Sequence, residues 1–204
     1  MSYPVRFVLI VATVAGFAWW APWRELTDAI NVPPGFEAHR GSHYRLACPA
    51  GWRTQSGRDD QGNDYEECDG PETAAATYSG QARVTQWEGW SHQLEGRLLQ
   101  FRNSARRSGY RILKEEPVVV KGAVRAHRFE VLQERRTPTG ASARSRGTDT
   151  FALTEDQVLL QLTVRAAEGG DQEERMPEIV DSFQAQEERR SFKDLFDPIR
   201  PPWI

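Results

Sequence analysis

The chain has 204 residues, of which 39% are hydrophobic and 27% are charged, and its formal net charge at pH 7 is −3. This balance gives no reason to expect a nucleic-acid-binding protein, because domains that contact phosphates are usually strongly basic. When an apolar segment near the N-terminus is set aside, about 180 residues remain, enough for one domain with its own hydrophobic core.

That apolar segment, residues 7–21, carries no charge and follows Arg6. We expect residues 1–24 to be an uncleaved signal anchor, a single transmembrane helix that leaves the rest of the chain on the extracytoplasmic face of the cell membrane. A cleaved signal peptide and a buried core helix are the alternatives. Large tryptophans stand where a cleavage site has small residues. The predicted membrane-contacting residues are Phe7, Val8, Leu9, Ile10, Phe17, Trp19, Trp20 and Trp23.

Residues 25–41 contain a double proline followed by glycine and are predicted to form a stalk linker. A globular domain is expected over residues 42–185. Alternating apolar and polar side chains predict its first strand at residues 44–48, and a turn at residues 49–51 predicts that the chain returns from Trp52. The polar residues 56–64 are predicted to form a hairpin tip.

The chain has two cysteines, Cys48 and Cys68, both beyond the predicted anchor. An isolated pair outside the cytoplasm favours a disulfide, and two buried free thiols are the alternative. Their spacing does not resemble that of a metal-binding cysteine motif. We therefore expect a disulfide, no metal site and no cofactor.

The later chain alternates between strand and helix patterns. Residues 82–87 resemble a strand, and Ser91 is a suitable N-cap for a helix that ends near Gly109. Its predicted apolar stripe is Leu94, Leu98, Phe101 and Ala105. Further strands are predicted at residues 118–120, 124–133, 148–153 and 158–166, and a second helix near residues 176–183.

Two signals compete for the start of this second helix. One is a capping box of Asp171 and Glu174, and the other is Pro177 in the first turn. The order of the predicted elements indicates an α+β domain with helices packed on an antiparallel sheet.

Three segments resemble the PsbP-like domain family, which includes LpqN-type actinobacterial envelope lipoproteins. Residues 44–52 have the sequence YRLACPAGW, similar to the family's opening motif, while residues 117–123 and 179–183 are similar to its later strand and closing helix. The resemblance implies an α/β/α sandwich and a non-enzymatic role, with no shared catalytic residues. The chain departs from the family in its predicted anchor, its cysteine pair and a C-terminal tail.

The tail, residues 186–204, is rich in large apolar side chains, which a solvated disordered segment usually lacks. We expect it to be an interaction tail that binds a partner groove; packing on the protein's own sheet and disorder are the alternatives. The predicted partner-binding residues are Trp87, Trp90, Phe192, Leu195, Phe196, Ile199, Trp203 and Ile204.

These features together predict an accessory or scaffolding subunit of an integral membrane or envelope protein complex. The alternative is an envelope protein that binds a small molecule or lipid between the sheet and the helices. No local motif of a nucleophile, P-loop or dinucleotide site occurs, so no catalytic residues are predicted and an enzyme is not expected.

Overall fold

The computed structural model describes residues 32–71, 79–87, 94–136 and 142–186. Within these ranges, no helix combines the length and apolar character needed to span a membrane. The predicted anchor, residues 1–24, lies outside them. The strands are β1 (Phe36–Arg40), β2 (Tyr44–Pro49), β3 (Arg53–Arg58), β4 (Asp64–Asp69), β5 (Gly80–Trp87), β6 (Tyr110–Val118), β7 (Ala123–Arg136), β8 (Ser142–Thr154), β9 (Leu159–Ala167) and β10 (Gln184–Ala185).

The strands form two antiparallel sheets. The large sheet has seven strands in the order β3-β4-β5-β9-β8-β7-β6, and the small sheet has three in the order β1-β2-β10. In the described ranges two α-helices accompany them, α1 (Leu94–Arg107) and α2 (Met176–Ser182). The predicted α+β class with antiparallel pairing is therefore confirmed for the described residues.

The large sheet is covered differently on its two faces. On one face, α1 packs over an apolar cluster that includes Leu94, Phe129 and Phe151. On the other, α2 and the small sheet enclose a second cluster that includes Leu46 and Ile179. The large sheet is thus the middle layer, with α1 on one side and α2 with the small sheet on the other.

Helix α1 follows the predicted stripe. Leu94, Leu98 and Ala105 are buried and Phe101 packs against the same cluster. The helix is followed by Gly109, whose φ of +74° is the left-handed conformation that a glycine adopts readily after a helix. The predicted N-cap, Ser91, lies outside the described residues.

Helix α2 begins through its proline and not through a capping box. A 3-10 turn, Glu173–Arg175, leads into the helix, and Pro177 stands in its first turn without a side-chain cap from Arg175. The first N–H groups of a helix have no acceptor within the helix, so the N–H that proline lacks does not remove a helical hydrogen bond at this position. The hydroxyl of Ser182 accepts a 2.9 Å hydrogen bond from the N–H of Ala47, which joins α2 to β2.

Two sequence-based boundaries need correction. Residues 36–40 were assigned to the stalk but form β1, whose mostly exposed side chains give no apolar alternation to detect. Residues 44–48 and the strand after Trp52 were expected to pair as a hairpin. Instead β2 pairs with β1 and β10, and the turn at residues 49–51 carries the chain from the small sheet to the large one.

The Cys48–Cys68 disulfide, which is confirmed, links the two sheets. Cys48 lies on β2 and Cys68 on β4, and both are almost fully buried. The bond therefore fastens the small sheet to the large one.

Strand β6 was also misjudged. A strand was predicted at residues 118–120, but β6 covers residues 110–118, and Val119, which follows it, is 98% exposed. In the turn that follows, Gly122 has a φ of +80°, and a Cβ there would lie 2.1 Å from the carbonyl oxygen of Ala185. Only glycine allows β10 to approach so closely.

Candidate functional site

The α1-side face of the large sheet is polar wherever α1 does not cover it. The strand registers align Gln55, Glu67, Arg83 and Thr163 in one row across β3, β4, β5 and β9. Successive side chains on a strand alternate between faces, so residues two apart join the same surface. We call this surface the polar face; its members are Arg53, Gln55, Tyr65, Glu67, Asp69, Gln81, Arg83, Thr85, Gln161, Thr163 and Arg165.

The first centre of the polar face is a pair of carboxylates on β4. Glu67 and Asp69 are only 6% and 7% exposed. The amide nitrogen of Gln55 donates to both, at 2.9 and 3.1 Å, and that of Gln81 donates to Asp69 at 3.3 Å. Arg83 lies 3.6 Å from the Glu67 carboxylate. The two acids thus fix amide and guanidinium groups from both neighbouring strands.

The closeness of two acids changes their protonation. Burial raises the pKa of the Asp69 carboxyl above its ordinary value, and the charge and hydrogen bond of Glu67 raise it further. Gln81 and Arg53 act in the opposite direction. Because one of two adjacent buried carboxylates resists ionisation, the pair retains a proton more readily than two separate surface acids.

The second centre is Asp149 on β8, which has no exposed surface. It pairs with Arg165 in a buried ion pair. Its other oxygen accepts hydrogen bonds from Thr163 at 2.8 Å and from Gln161 at 3.1 Å. A buried charge of this kind is tolerated because its partners satisfy it on every side.

Glycine makes room for the Arg165 side chain. A Cβ at Gly147 would lie 2.6 Å from the Cδ of Arg165 and 2.1 Å from the carbonyl oxygen of Val164. The guanidinium crosses this gap and donates to the carbonyl oxygen of Thr148 at 2.9 Å. Its Nε is buried without a hydrogen-bond partner in the described part of the chain.

Two aromatic rings border the polar face, each beneath an arginine. The guanidinium of Arg97 from α1 lies 3.3 Å from the ring centroid of Trp87, and that of Arg83 lies 3.8 Å from the ring of Tyr65. Such stacking attracts a cation to the electron-rich ring and holds the side chain in one orientation. The border therefore adds ordered positive groups.

The tip of the β3–β4 hairpin is ordered by Asp59. Its carboxylate accepts hydrogen bonds from the backbone N–H groups of Gln61 and Asn63, both at 2.9 Å. Although burial acts to raise it, these bonds and the Asn63 amide hold the pKa of Asp59 below its ordinary value. The negative tip contributes to the electrostatic environment of Arg83 and Arg97.

The arrangement is suited to recognition. Buried acids form an inner layer, and the groups they hold, such as Gln81, Gln161 and Thr163, are only partly buried. Because the inner layer restrains these groups before a partner arrives, less conformational entropy is lost on binding. The polar face can therefore present fixed hydrogen-bond donors and acceptors over four strands.

Few of the predicted partner-binding residues lie in the described part of the chain. Trp87 lies in the apolar cluster beneath Arg97 and is 5% exposed, so its ring is not part of the exposed surface. Trp90 and the six tail residues, Phe192, Leu195, Phe196, Ile199, Trp203 and Ile204, lie outside the described residues. The described tail segment is only Gln186, whose side chain bonds to Arg45 and to the carbonyl oxygen of Gly41, both at 2.8 Å.

One group of metal-ligand types occurs among the described residues. Ligand atoms of His39, Cys48 and Cys68 lie within 4.8 Å of one another. Both sulfurs belong to the disulfide, and cysteine binds metals as a free thiolate. The group therefore gives no reason to assign a metal centre in the disulfide-bonded protein.

Comparison with known proteins gives similarity of fold only. No family model and no curated protein sequence matches the chain. Cyanobacterial PsbP (CyanoP) from Synechocystis sp. PCC 6803 is similar with a TM-score of 0.47 and 11% identity, covering 77% of this chain and 96% of that one. The Pseudomonas aeruginosa protein PA94, of unknown function, gives 0.42 and 12%, covering 81% and 98%.

LpqN of Mycobacterium tuberculosis, a protein involved in cell envelope biogenesis, gives a TM-score of 0.38 and 11% identity, covering 78% of this chain and 82% of that chain. The resemblance to PsbP-like domains is thus confirmed as a likeness of fold. At such TM-scores and identities it carries no argument about function.

The polar face was not predicted from the sequence. Residues 56–64 were predicted to form a hairpin tip, whereas β3 runs to Arg58 and pairs with β4, which begins at Asp64. A usable signal was present in β9, where Gln161, Thr163 and Arg165 alternate with leucine and valine. Alternation in one strand predicts only a solvated face. That acids from other strands are buried among these residues can be seen only when the pairing of the strands is known.

Proposed function

We propose that this chain is a membrane-anchored, extracytoplasmic accessory subunit that binds a membrane or envelope protein complex and carries out no reaction itself. The observation that carries the proposal is the polar face. Its exposed or partly buried amides and the partly buried guanidinium of Arg83 are held by the buried acids Glu67, Asp69 and Asp149. A merely solvated sheet face has no need of buried charges beneath it, since each buried charge is costly unless fully paired.

The disulfide supports the extracytoplasmic part of the proposal. Structural disulfides persist in oxidising compartments and are rare in the cytoplasm. The Cys48–Cys68 bond is buried between the two sheets, as expected of a structural bond. Together with the apolar residues 7–21 it favours a domain held outside the membrane by an N-terminal anchor.

The tail supplies a second contact in this proposal. The side chain of Gln186, the residue before segment 187–204, bonds to Arg45 of β2 and to the carbonyl oxygen of Gly41. Phe192, Phe196 and Trp203 are the largest apolar groups of this segment. We assign them to a groove of the partner, with the polar face giving orientation and the tail giving apolar contact area.

The test is purification of the tagged full-length chain from native membranes in mild detergent, beside a version that ends at Gln186. The truncation leaves β10 and the Gln186 hydrogen bonds intact. We expect a stoichiometric membrane or envelope protein with the full chain and much less with the truncated one. A full-length chain that purifies alone contradicts the proposal.

The cellular compartment of the domain is tested with the same tagged full-length chain. Free thiols are blocked in intact cells, the protein is denatured and reduced, and newly exposed thiols are labelled. We expect both cysteines to be labelled only after reduction. Cysteines already reduced in the cell, with the domain protected from external protease, contradict an extracytoplasmic location.

A further inference from the structure

A histidine lies beside the disulfide that joins the two sheets. A ring nitrogen of His39 and the sulfurs of Cys48 and Cys68 are all within 4.8 Å of one another. His39 pairs with Leu46 in the β1–β2 ladder, and Leu46 is two residues from Cys48, so these three side chains lie on one face of the small sheet. In the described part of the chain the His39 ring has no hydrogen-bond partner. The strands therefore hold an imidazole next to both sulfurs.

The spacing suits a metal ion once the two sulfurs are separate. A tetrahedral ion with bonds of about 2.3 Å to sulfur and about 2.0 Å to nitrogen holds its ligand atoms roughly 3.5–3.8 Å apart. The Cα atoms of Cys48 and Cys68 are 6.5 Å apart. Rotation about χ1 of the two cysteines can therefore bring their sulfurs to this separation while β2 and β4 stay in place.

Burial selects the charge of the ion. Cys48 and Cys68 are 1% and 2% exposed, in an apolar cluster with Leu46 and Val84. Two thiolates alone would be buried charges without a counter-charge, which is costly. A divalent cation balances both of them, and a neutral imidazole adds no charge. Thiolate and imidazole are the ligand types that suit Zn²⁺, so the three groups match it in both charge and chemistry.

We propose that this protein, when Cys48 and Cys68 are reduced, binds one Zn²⁺ ion through the two thiolates and the His39 imidazole. The fourth position of the tetrahedron falls to water on the outer side of β1. In the described part of the chain no strand lies beyond β1, and His39 itself is only partly buried. The inference goes beyond the proposed function and does not depend on a partner.

The zinc site and the disulfide are alternatives at the same two sulfurs. Cysteines reach an oxidising compartment as thiols, and the bond forms there by the loss of two electrons and two protons to a disulfide oxidant, which becomes a dithiol. Zinc instead displaces the two protons, and no electron is transferred. Because the ion would join β2 to β4 as the bond does, it can fasten the small sheet to the large one before the bond forms.

The experiment uses the full-length protein in mild detergent, reduced with a phosphine. This reagent converts the disulfide and one water molecule into two thiols and a phosphine oxide. Co²⁺ is the first probe, because its bonds to thiolate give a charge-transfer band in the near ultraviolet. We expect one Co²⁺ per reduced chain, displaced by one equivalent of Zn²⁺, and no such band in the oxidised protein. A reduced wild type without this band overturns the proposal.

Two histidine variants test the third ligand. His39→Ala removes it, whereas His127→Ala removes a histidine of β7, which lies against Phe129 and Glu115. We expect His39→Ala to weaken Zn²⁺ binding by at least about tenfold and His127→Ala to leave it within about twofold of the wild type. Equal affinity in the two variants overturns the site. The double variant Cys48→Ser with Cys68→Ser should give no charge-transfer band; a band that persists overturns it as well.

Folding of the reduced protein is measured in the same samples, because loss of the disulfide destabilises the domain. An ion that binds only the folded site stabilises the fold, so Zn²⁺ should raise the urea midpoint of the reduced wild type but not that of the oxidised protein. A reduced chain that has lost the circular dichroism of its sheets should regain it with Zn²⁺. If Zn²⁺ changes neither the midpoint nor the circular dichroism, the proposal is wrong, while the proposed function is unaffected.

Discussion

The two halves of the α1-side face of the large sheet carry opposite chemistry. Under α1, strands β6 to β8 bring Phe129 and Phe151 against Phe101, with ring centroids 4.7 and 5.5 Å from the Phe101 ring. Beyond α1, strands β3 and β4 and most of β5 and β9 carry acids, amides and arginines, while Trp87 of β5 and Leu159 of β9 belong to the apolar cluster. One sheet face therefore supplies a folding core in one half and an ordered polar surface in the other.

The boundary between the halves is abrupt. Phe129 on β7 is paired in register with Asp149 on β8, and both side chains are completely buried. Apolar burial stabilises the first directly. The second is acceptable only because Arg165, Gln161 and Thr163 satisfy it, so this network is the most vulnerable point of the polar half.

The largest effect is expected from Asp149→Ala. It leaves the Arg165 guanidinium buried without its counter-charge, and we expect the free energy of unfolding to fall by about 3–5 kcal/mol. Urea denaturation measures it. The double variant Asp149→Leu with Arg165→Met should recover most of the loss, since apolar residues can replace a buried ion pair. An Asp149→Ala variant as stable as the wild type would show that the hydrogen bonds and ion pair of Asp149 do not stabilise the fold.

On the apolar half, Phe129→Leu should have an intermediate effect. It removes the ring that packs between Phe101 and Phe151 but keeps an apolar side chain, so we expect a loss of about 1–2 kcal/mol in unfolding free energy. The amount of partner bound per folded molecule should not change. A Phe129→Leu variant that is fully stable but loses the partner would show that the recognition surface lies under α1, which contradicts the assignment of recognition to the polar half.

Asp69→Asn should change the free energy of unfolding by a small amount that depends on pH. Because burial and then Glu67 raise the pKa of Asp69 in the folded state, its contribution to stability is complete below the ordinary carboxyl pKa of about 3.9 and is lost as the pH rises through the folded value. Asparagine cannot ionise. The variant should therefore gain on the wild type between about pH 4 and pH 7, by no more than about 1 kcal/mol.

Asp59→Asn is the matched comparison for this pH dependence. Hydrogen bonds from Asn63 and Gln61 lower the pKa of Asp59, so its contribution is present above the unfolded pKa and is lost as the pH falls. Urea unfolding across the same pH range should give Asp59→Asn the opposite trend from Asp69→Asn. Parallel trends for the two variants would refute the assigned environments.

Local patterns predicted the elements that depend on neighbouring residues in the chain. The α1 stripe, the alternation in β9 and the cysteine pair all led to correct elements, because helix and strand periodicity and disulfide chemistry are visible over short distances. β1 and β6 were misjudged, because edge strands with exposed side chains lack an apolar alternation.

The candidate site could not be predicted for a different reason. Arg53, Asp69, Gln81 and Arg165 come from four strands, and their common row follows from registers that no local pattern specifies. The burial of Asp149 also depends on β8 lying between β9 and β7. The predicted contacts at Trp90 and in the tail remain predictions, while Trp87 is part of the core.

The central claim is that the polar half recognises a partner and the apolar half maintains the fold. The most direct test is Gln81→Lys with Gln161→Lys, which places two new charges on the polar face, beside Asn103→Lys with Ser104→Lys on the exposed side of α1. Because Gln161 also bonds to the buried Asp149, the partner recovered with each pair is measured per folded molecule, and urea unfolding reports any loss of stability. The account predicts that only the first pair loses the partner in mild-detergent purification; a partner kept by the first pair would contradict it.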